Sequence, residues 1–342
     1  MSDVLDQAVQ ILKNGGLVGM PTETVYGLAG DASNEAALRK IYSTKGRPSG
    51  HPLIVHIASP VDPRMTMDEA RDAWRDSLSV WSRDVSPQAL LLACAFWPGP
   101  LTMILPKAKS VLGDVTGGQE TVGIRSPKHP VAQDLLKRFG GGLAAPSANK
   151  FGRISPTSAH HVREEFGDDL FVLDGGDCQV GIESTIVDLS RWDTHGPVVL
   201  RPGVISTQEI EAVLGQSKHS TQEDFSAPRV SGSLSAHYAP KTKLILWNDK
   251  MSGVACAGLN VAWIHFARAA QPVFLKEAAS CKDYILSDEP KDVARRLYAL
   301  LRELDKGVHD LIIFEQLPVG EDWAGIQDRL GRAAVGSGIS DV

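Results

Sequence analysis

The stretch VSPQALLLACAFWPGPLTMILP, residues 85–106, decides the fold class, because it contains no charged residue and is long enough to suggest a membrane span. A spanning helix needs ~20 consecutive apolar residues with every backbone group bonded inside the helix. Pro98, Gly99 and Pro100 interrupt the run in its middle, where proline cannot continue a helix. We therefore predict a buried helix that ends near Trp97, a turn, and a strand that begins after Pro100.

On both sides of this unit, short runs of Val, Ile and Leu alternate with longer amphipathic stretches, which is typical of an α/β protein. The predicted strands of the first part of the chain are residues 17–20, 53–57, 101–105, 121–124, 143–145, 185–189 and 198–200. The predicted helices are residues 4–13, 34–43 and 130–139. We expect Ser33 to cap the second of these helices.

A change of composition marks a second domain. Residues 216–228 are polar and have no periodic pattern, as expected of a linker. After them, strands are predicted at residues 243–247, 259–266, 284–286 and 311–314, and helices at 290–305 and 326–334. The sequence thus predicts a first domain at residues 1–215, a linker at 216–242 and a smaller α/β domain at 243–342.

The composition is that of an ordinary soluble protein: 342 residues, 43% hydrophobic, 22% charged, with a formal net charge of -6. This acidic balance excludes a global footprint for nucleic acid or an anionic membrane. The four cysteines are widely spaced without a CxxC pair, so neither a disulfide framework nor a zinc site is indicated. Asp3 and Asp6 stand where a secretory signal would carry basic residues, and we expect a cytoplasmic protein.

Two cations mark the first candidate site, in the loop KGRPSGHPL at residues 45–53. Arg47 precedes Pro48 and is therefore pushed toward extended backbone, where side chains at positions i and i+2 lie on the same side. Lys45 and Arg47 can thus converge on one anion such as a phosphate. An isolated pair of this kind is more often a solvated basic loop.

Polar side chains also follow two predicted strands, at the usual ligand edge of an open α/β sheet. Thr22 and Thr24 follow strand 17–20, and Ser147 and Asn149 follow strand 143–145. The alternative for both segments is a polar turn whose side chains bond their own backbone.

Two arginines, Arg125 and Arg201, lie at strand ends, and a guanidinium can hold a carboxylate by two parallel hydrogen bonds. Taken singly, each is more often a structural arginine. His51 and His56 do not form an HExxH metal pattern, and His56 within an apolar run is typical of a core histidine. A Walker loop, GxGxxG, the kinase motifs and GxSxG are all missing, so phosphates would have to be held in another way.

Six motifs together resemble the YrdC/Sua5 family, the threonylcarbamoyl-AMP synthases. They are PTETVYGL (21–28), KGRPSGHPL (45–53), PGPLT (98–102), APSAN (145–149), ESTIVD (183–188) and HYAP (237–240). The HYAP motif and the trailing domain resemble the longer Sua5 type. The resemblance implies a YrdC-like twisted, open mixed sheet with helices as the catalytic domain, plus a smaller Rossmann-like C-terminal α/β domain.

The resemblance also implies an activity. The family joins L-threonine, bicarbonate or CO2, and ATP into L-threonylcarbamoyladenylate and releases pyrophosphate. A downstream transferase complex then carries the threonylcarbamoyl group to adenosine 37 of tRNA. The resemblance implies that Mg²⁺ arrives with ATP and that the protein itself ligates no metal; it leaves room for a weak contact with tRNA.

Carried over position by position, the resemblance makes Lys45 and Arg47 the phosphate-binding catalytic cations. The further ATP-binding positions it implies are His51, Thr121, Ser147, Asn149, Thr157, Arg201, His237 and Tyr238. The threonine-binding positions it implies are Thr24, His56, Arg125 and Ser184.

The chain departs from the family pattern at two places. His51 stands where asparagine is common, and the linker VSGSLSAHYAP, residues 230–240, lacks the proline and the basic residue of the familiar SPGMxxxHYAP form. Residues 59–87 are long and polar for the family, without a functional interpretation. Two other functions stay open, namely an RNA-binding module and an adenylating domain that uses carbamoyl phosphate.

Overall fold

The computed structural model describes residues 2–215, 226–248, 250–251 and 253–338. The first of its two units consists of Met1–Lys150, Pro156–Gln179 and Glu183–Ser233, and the second consists of Phe151–Ser155, Val180–Ile182 and Leu234–Val342. The predicted linker lies partly outside the described residues, at 216–225. The domain boundaries placed at residues 215 and 243 stay predictions.

A nine-stranded mixed sheet forms the centre of the first unit, in the order β7-β1-β2-β6-β3-β5-β4-β8-β9. Its strands are β1 Val18–Met20, β2 Gly27–Asp31, β3 Ile54–His56, β4 Leu101–Pro106, β5 Thr121–Arg125, β6 Leu143–Ala144, β7 Phe171–Val172, β8 Thr185–Asp188 and β9 Val198–Arg201. The helices are α1 Ser2–Lys13, α2 Glu35–Lys45, α3 Met67–Ser79, α4 Pro87–Phe96, α5 Gly113–Thr116, α6 Pro130–Phe139, α7 Ala159–Phe166, α8 Trp192–His195 and α9 Thr207–Leu214. All seven predicted strands and all three predicted helices of this part are confirmed to within a few residues.

The register of three neighbouring strands positions the predicted site residues. Strands β3 and β5 are parallel and pair His56 with Arg125. Strands β4 and β5 are antiparallel, and Met103 pairs with Ile124, so Thr102 at the start of β4 lies beside the end of β5. Strand β8 runs parallel to β4, with Leu101 opposite Thr185. The end of β5 therefore adjoins the starts of β4 and β8.

The charge-free stretch forms the predicted helix, turn and strand. Helix α4 ends at Phe96, the backbone N–H of Trp97 bonds to Ala93, and β4 begins at Leu101. The Trp97 indole donates to the Leu101 carbonyl at 2.7 Å, which closes the turn. None of the helices that the structure describes is long and apolar enough to cross a bilayer.

Helix α2 ends at Lys45, because Gly46 adopts the left-handed conformation (φ 63°) that terminates helices. At its other end, the side chain of Asn34 accepts from the backbone N–H groups of Ala36 and Ala37. The prediction of Ser33 as the cap is therefore wrong. Asn34 is the last extended residue before the helix, and its amide oxygen reaches two free N–H groups.

The polar segment 59–87 contains α3, which the sequence analysis did not predict. A capping box between Thr66 and Glu69 begins the helix. Its apolar face buries Trp74 and Leu78, and the Trp74 ring meets the Trp97 ring edge-on at 5.2 Å. This segment therefore contributes to the core of the first unit.

The second unit contains a four-stranded parallel sheet in the order β10-β13-β11-β12. Its elements are β10 Lys243–Trp247, β11 Asn260–Phe266, a 3₁₀ helix at Val273–Glu277, β12 Ser280–Leu286, α10 Pro290–Leu304, β13 Leu311–Glu315 and α11 Glu321–Gly336. Strand β12 begins four residues earlier than predicted. The two α/β architectures confirm the predicted fold class.

Candidate active site

Lys45 links the basic loop to the turn after β6. Its ammonium donates to the backbone carbonyl oxygens of Ser147 and Asn149, each at 2.5 Å. The side chain is buried, and burial, followed by the positive charge of Arg47, holds the pKa of Lys45 well below its usual value. A negatively charged ligand would offset both effects, so this ammonium is suited to an anion.

The turn at residues 146–149 is itself fixed against β2. Leu28 donates its N–H to the Pro146 carbonyl at 2.7 Å, and Ala148 donates to Tyr26 at 2.8 Å. The buried side-chain amide of Asn149 donates to the Lys150 carbonyl at 2.8 Å. The Asn149 side chain thus bonds the backbone of the next residue, as expected if this segment is a polar turn. The Ser147 and Asn149 carbonyl groups of the same turn bond Lys45.

Arg47 is buried beside the loop that follows it. One terminal nitrogen donates to the Pro52 carbonyl at 2.8 Å, and both terminal nitrogens lie 3.4–3.5 Å from the Ser231 hydroxyl oxygen. His51, in the same loop, is half-buried; burial and the neighbouring Arg47 lower its pKa. Lys45 and Arg47 are therefore both part of the folded interior and not a solvated basic loop.

Arg201 joins Ser231 to Ser184. It donates to the Ser231 carbonyl at 2.8 Å through Nη1 and to the Ser184 carbonyl through Nε and Nη2, at 3.1 and 2.9 Å. The Ser184 hydroxyl lies 2.7 Å from the Thr102 hydroxyl. A hydrogen-bonded series, Arg47–Ser231–Arg201–Ser184–Thr102, thus runs from the basic loop to the starts of β4 and β8.

Two further predicted ATP-binding residues have different surroundings. Thr121, half-buried at the start of β5, lines a small, partly open pocket together with Pro52, Gly123 and Ser231. Thr157 is buried, and its N–H and hydroxyl both meet Nδ1 of His161, at 3.2 and 3.3 Å. The structure therefore brings Thr121 toward the partner of Arg47, whereas Thr157 is engaged with α7.

Arg125 is the centre of a second group. Its Nη2 donates to Glu23 at 2.6 Å, its Nη1 to the Thr24 hydroxyl at 2.8 Å and its Nε to the Gly99 carbonyl at 3.2 Å. All of these groups are buried or nearly so. Thr22 bonds the Thr24 hydroxyl at 2.9 Å and donates to the Val25 carbonyl at 2.6 Å, so Thr22 shapes the turn and Thr24 meets the arginine.

His56 lies opposite Arg125 in the sheet register. Its Nδ1 is 3.2 Å from the Ile54 carbonyl oxygen. Burial, followed by the charge of Arg125, lowers the pKa of His56 to about 3. The imidazole is therefore neutral near pH 7 and can act as a hydrogen-bonding group but not as a cation.

Sequence reasoning missed three residues of these groups: Glu23, Thr102 and Ser231. Each lies inside a quoted motif or linker, yet none of the three stands out by residue type. The signal available for Glu23 was its position between two candidate threonines, directly after an apolar strand. Nothing in the residue pattern indicated that Thr102 would face Ser184.

His237 and Tyr238 belong to the second unit, where they are buried. The Tyr238 ring lies 5.7 Å from the Tyr298 ring and 5.6 Å from the guanidinium carbon of Arg329. The next residue, Ala239, donates its N–H to Gly152 at 2.9 Å. Their predicted contact with ATP stays a prediction.

Two family models match the chain in tandem. The first, Sua5/YciO/YrdC, is described as telomere recombination and matches residues 10–203. The second, the C-terminal domain of threonylcarbamoyl-AMP synthase, matches residues 205–335. Together they cover both units that the structure describes.

Whole-chain relatives agree with these models. The threonylcarbamoyl-AMP synthase of Pyrococcus abyssi is 35% identical over 334 residues, covering 96% of this chain and 93% of that protein. The synthase of Bacillus subtilis is 37% identical over 340 residues, covering 96% and 92%. The crystal structure of P. abyssi Sua5 complexed with L-threonine matches with a TM-score of 0.80 at 33% identity, over 97% of this chain and 94% of that one. The chain therefore belongs to the Sua5/YciO/YrdC family, among its two-domain threonylcarbamoyl-AMP synthases.

Proposed function

We propose that this protein makes L-threonylcarbamoyladenylate and pyrophosphate from L-threonine, ATP and CO2 or bicarbonate. The family and the names of the whole-chain relatives support this reaction, and one solved relative is described as a complex with L-threonine. The observation that carries the proposal is the series Arg47–Ser231–Arg201–Ser184, because it connects proposed phosphate ligands to a proposed threonine ligand. A reaction between two substrates requires such adjacent binding groups.

The phosphates of ATP are held, in this proposal, by Lys45, Arg47 and Arg201. All three are buried cations. Cationic side chains bind phosphate oxygens and not a divalent metal, so Mg²⁺ would enter on ATP and neutralise part of its charge. The remaining proposed ATP contacts are His51, Thr121, Ser147, Asn149, Thr157, His237 and Tyr238.

Threonine is held, in this proposal, by Thr24, His56, Arg125 and Ser184. Within the described part of the chain, Arg125 makes three hydrogen bonds, and a guanidinium has five N–H donors. One donor on each terminal nitrogen is thus left for the substrate carboxylate. The hydroxyl and imidazole groups around it suit the hydroxyl of threonine.

The proposed chemistry has two steps. The neutral threonine amine attacks CO2 through its nitrogen lone pair, releases one proton to solvent and becomes an N-carboxylate. A carboxylate oxygen then attacks the α-phosphorus of ATP, and the bond to the β-phosphate oxygen breaks to release pyrophosphate. Lys45 and Arg47 stabilise the charge that grows on the leaving group, so catalysis is mostly positioning and electrostatics.

Beyond the reaction, we propose that a transferase complex carries the threonylcarbamoyl group to adenosine 37 of tRNA. We also propose that the protein works in the cytoplasm. All four cysteines are unpaired thiols, as expected in a reducing compartment.

Pyrophosphate release from ATP tests the reaction directly. The full chain would be assayed with L-threonine and bicarbonate added singly and together, and with L-serine in place of L-threonine. Release that needs both substrates supports the proposal. Release indifferent to threonine would favour a different adenylating activity, and no release, combined with salt-sensitive binding of tRNA, would favour an RNA-binding module.

A further inference from the structure

We infer that Glu23 is a positioning residue that orients Arg125 for the carboxylate of the substrate. This inference rests on the proposed function, because it takes Arg125 as the group that binds threonine. Glu23 itself acts through the arginine. It lies in the turn between β1 and β2, outside the set of residues that the sequence predicts for the site.

Glu23 is held at two points. One carboxylate oxygen accepts from Nη2 of Arg125 at 2.6 Å, and the other accepts from the backbone N–H of Lys128 at 3.0 Å. The side chain is 8% exposed and that of Arg125 is 4% exposed. Since both oxygens are bonded in a buried setting, the carboxylate cannot turn without breaking one of these contacts.

Together with its neighbour, Glu23 fixes the plane of the guanidinium. Glu23 and Thr24 hold the two terminal nitrogens, and the Gly99 carbonyl holds Nε. Bonds to all three nitrogens define a plane, and the two remaining N–H donors lie in that plane. A two-point contact with a carboxylate depends on this orientation, because the guanidinium donors form a rigid fork.

The charge of Glu23 has a second effect. Before substrate binds, it neutralises a buried guanidinium that would otherwise attract another anion or turn toward other carbonyl groups. Glutamine at this position keeps the shape and one acceptor but removes the ion pair. The arginine then keeps its charge and loses its fixed orientation.

The test measures the affinity of the full chain for L-threonine by titration calorimetry without ATP, and then KM and kcat for pyrophosphate release. For Glu23→Gln we expect the Kd and KM for threonine to rise about tenfold or more, because the substitution removes one charge-assisted hydrogen bond that orients Arg125. The KM for ATP should change less than about threefold, because the phosphate ligands are untouched. Glu23→Asp, which keeps the charge on a shorter side chain, should recover part of the affinity.

Asp188→Asn is the matched control. Asp188 is a buried carboxylate that also bonds one arginine, Arg191 at 2.8 Å, and one backbone N–H, that of Ser190 at 2.9 Å; it accepts in addition from the Ser190 hydroxyl at 2.6 Å. It lies at the far end of β8 from Ser184. Its loss should lower the melting temperature as Glu23→Gln does, without a change in the Kd for threonine.

An unchanged or tighter Kd for threonine in Glu23→Gln would overturn the inference and leave the pair a purely structural one. Absence of threonine binding by the unaltered chain would overturn it as well. If the unaltered chain binds threonine but releases no pyrophosphate, the proposed reaction fails while the Kd of the variants still measures the role of Glu23.

Discussion

Arg201 makes three hydrogen bonds to Ser184: two to its backbone carbonyl, at 3.1 and 2.9 Å, and one to its hydroxyl, at 3.1 Å. A single guanidinium thus fixes both the backbone and the side chain of a proposed threonine ligand. The same guanidinium reaches the backbone of Ser231, which contacts Arg47. Under the proposed function, we therefore expect Arg201 to couple the binding of the two substrates.

We expect Arg201→Lys to raise the KM for ATP and the KM for threonine together, each by about tenfold, because an ammonium cannot replace the bidentate contact. Steady-state kinetics of pyrophosphate release would measure both constants. Arg138→Lys, at a surface arginine paired with Asp6, is the control and should change neither constant. A rise in the KM for ATP alone would contradict the coupling.

Lys45→Met should lower the rate of pyrophosphate release by about 10²–10³, the usual loss when one preorganised donor is removed. The melting temperature should also fall, because the carbonyl oxygens of Ser147 and Asn149 lose their donor, although methionine fills the buried volume and ends the desolvation of a charge. The control is Lys40→Met, at an exposed lysine of the same helix. Turnover near that of the unaltered protein would remove Lys45 from the mechanism.

His56 should make the protein sensitive to acid. Its pKa is about 3 in the folded state, against an ordinary value of 6.5, so the unfolded chain takes up a proton first as the pH falls. Above about pH 6.5 His56 is neutral in both states, so the free energy of unfolding does not depend on its titration. Between pH 6.5 and about pH 3 the unfolded state is favoured increasingly as the pH falls, and the free energy of unfolding decreases.

Urea unfolding at pH 7 and pH 4.5 would measure this contribution. Between these pH values, His56→Gln should lose about 2–3 kcal/mol less of its unfolding free energy than the unaltered protein does. Carboxyl groups that titrate in the same range are common to both proteins and cancel in the comparison. Equal losses would mean that His56 is protonated in the folded state.

The segment 230–233 should tolerate loss of a hydroxyl better than a change of backbone. Ser231→Ala removes only the long contacts of 3.4–3.5 Å to Arg47 and keeps the carbonyl that Arg201 uses, so the KM for ATP should change less than about threefold. Gly232 has a φ of 78°, and alanine there costs about 1 kcal/mol of strain. Gly232→Ala should therefore raise the KM for ATP more than Ser231→Ala does; the reverse order would contradict the proposed role of the Ser231 backbone.

Sequence patterns predicted the elements that hydrophobic periodicity determines. The strands of the second unit and strands β1 and β6, which are followed by polar turns, were predicted from apolar runs that end in polar residues. Helix α3 was not predicted, because its polar exposed face dominates the composition and only Trp74 and Leu78 reveal the buried one. The observed N-cap of α2, Asn34, lies one residue after the predicted cap, Ser33. The cap is the last residue with an extended backbone, and the sequence pattern does not determine which residue that is.

The sequence predicts the residues of the candidate site one by one, and their functional roles stay predictions, but it does not predict their contacts. Lys45 and Arg47 are two residues apart in the sequence, and this spacing predicts that their side chains can converge on one anion. In the folded chain Lys45 bonds the turn after β6 and Arg47 bonds Ser231, nearly two hundred residues away along the chain. Such pairings are set by strand order, which a single sequence does not encode in any local pattern.

The two carbonyl oxygens that hold the Lys45 ammonium have a consequence for the anions that the loop retains. An ammonium has three N–H donors, and two of them already bond these carbonyls, so one donor is left for a ligand that displaces neither. A lone anion would therefore gain a single bond from Lys45, whereas under the proposed function a polyphosphate tail would engage Lys45 and Arg47 together. Under the proposed function, we therefore expect selection among anions to depend on how many linked phosphates arrive together.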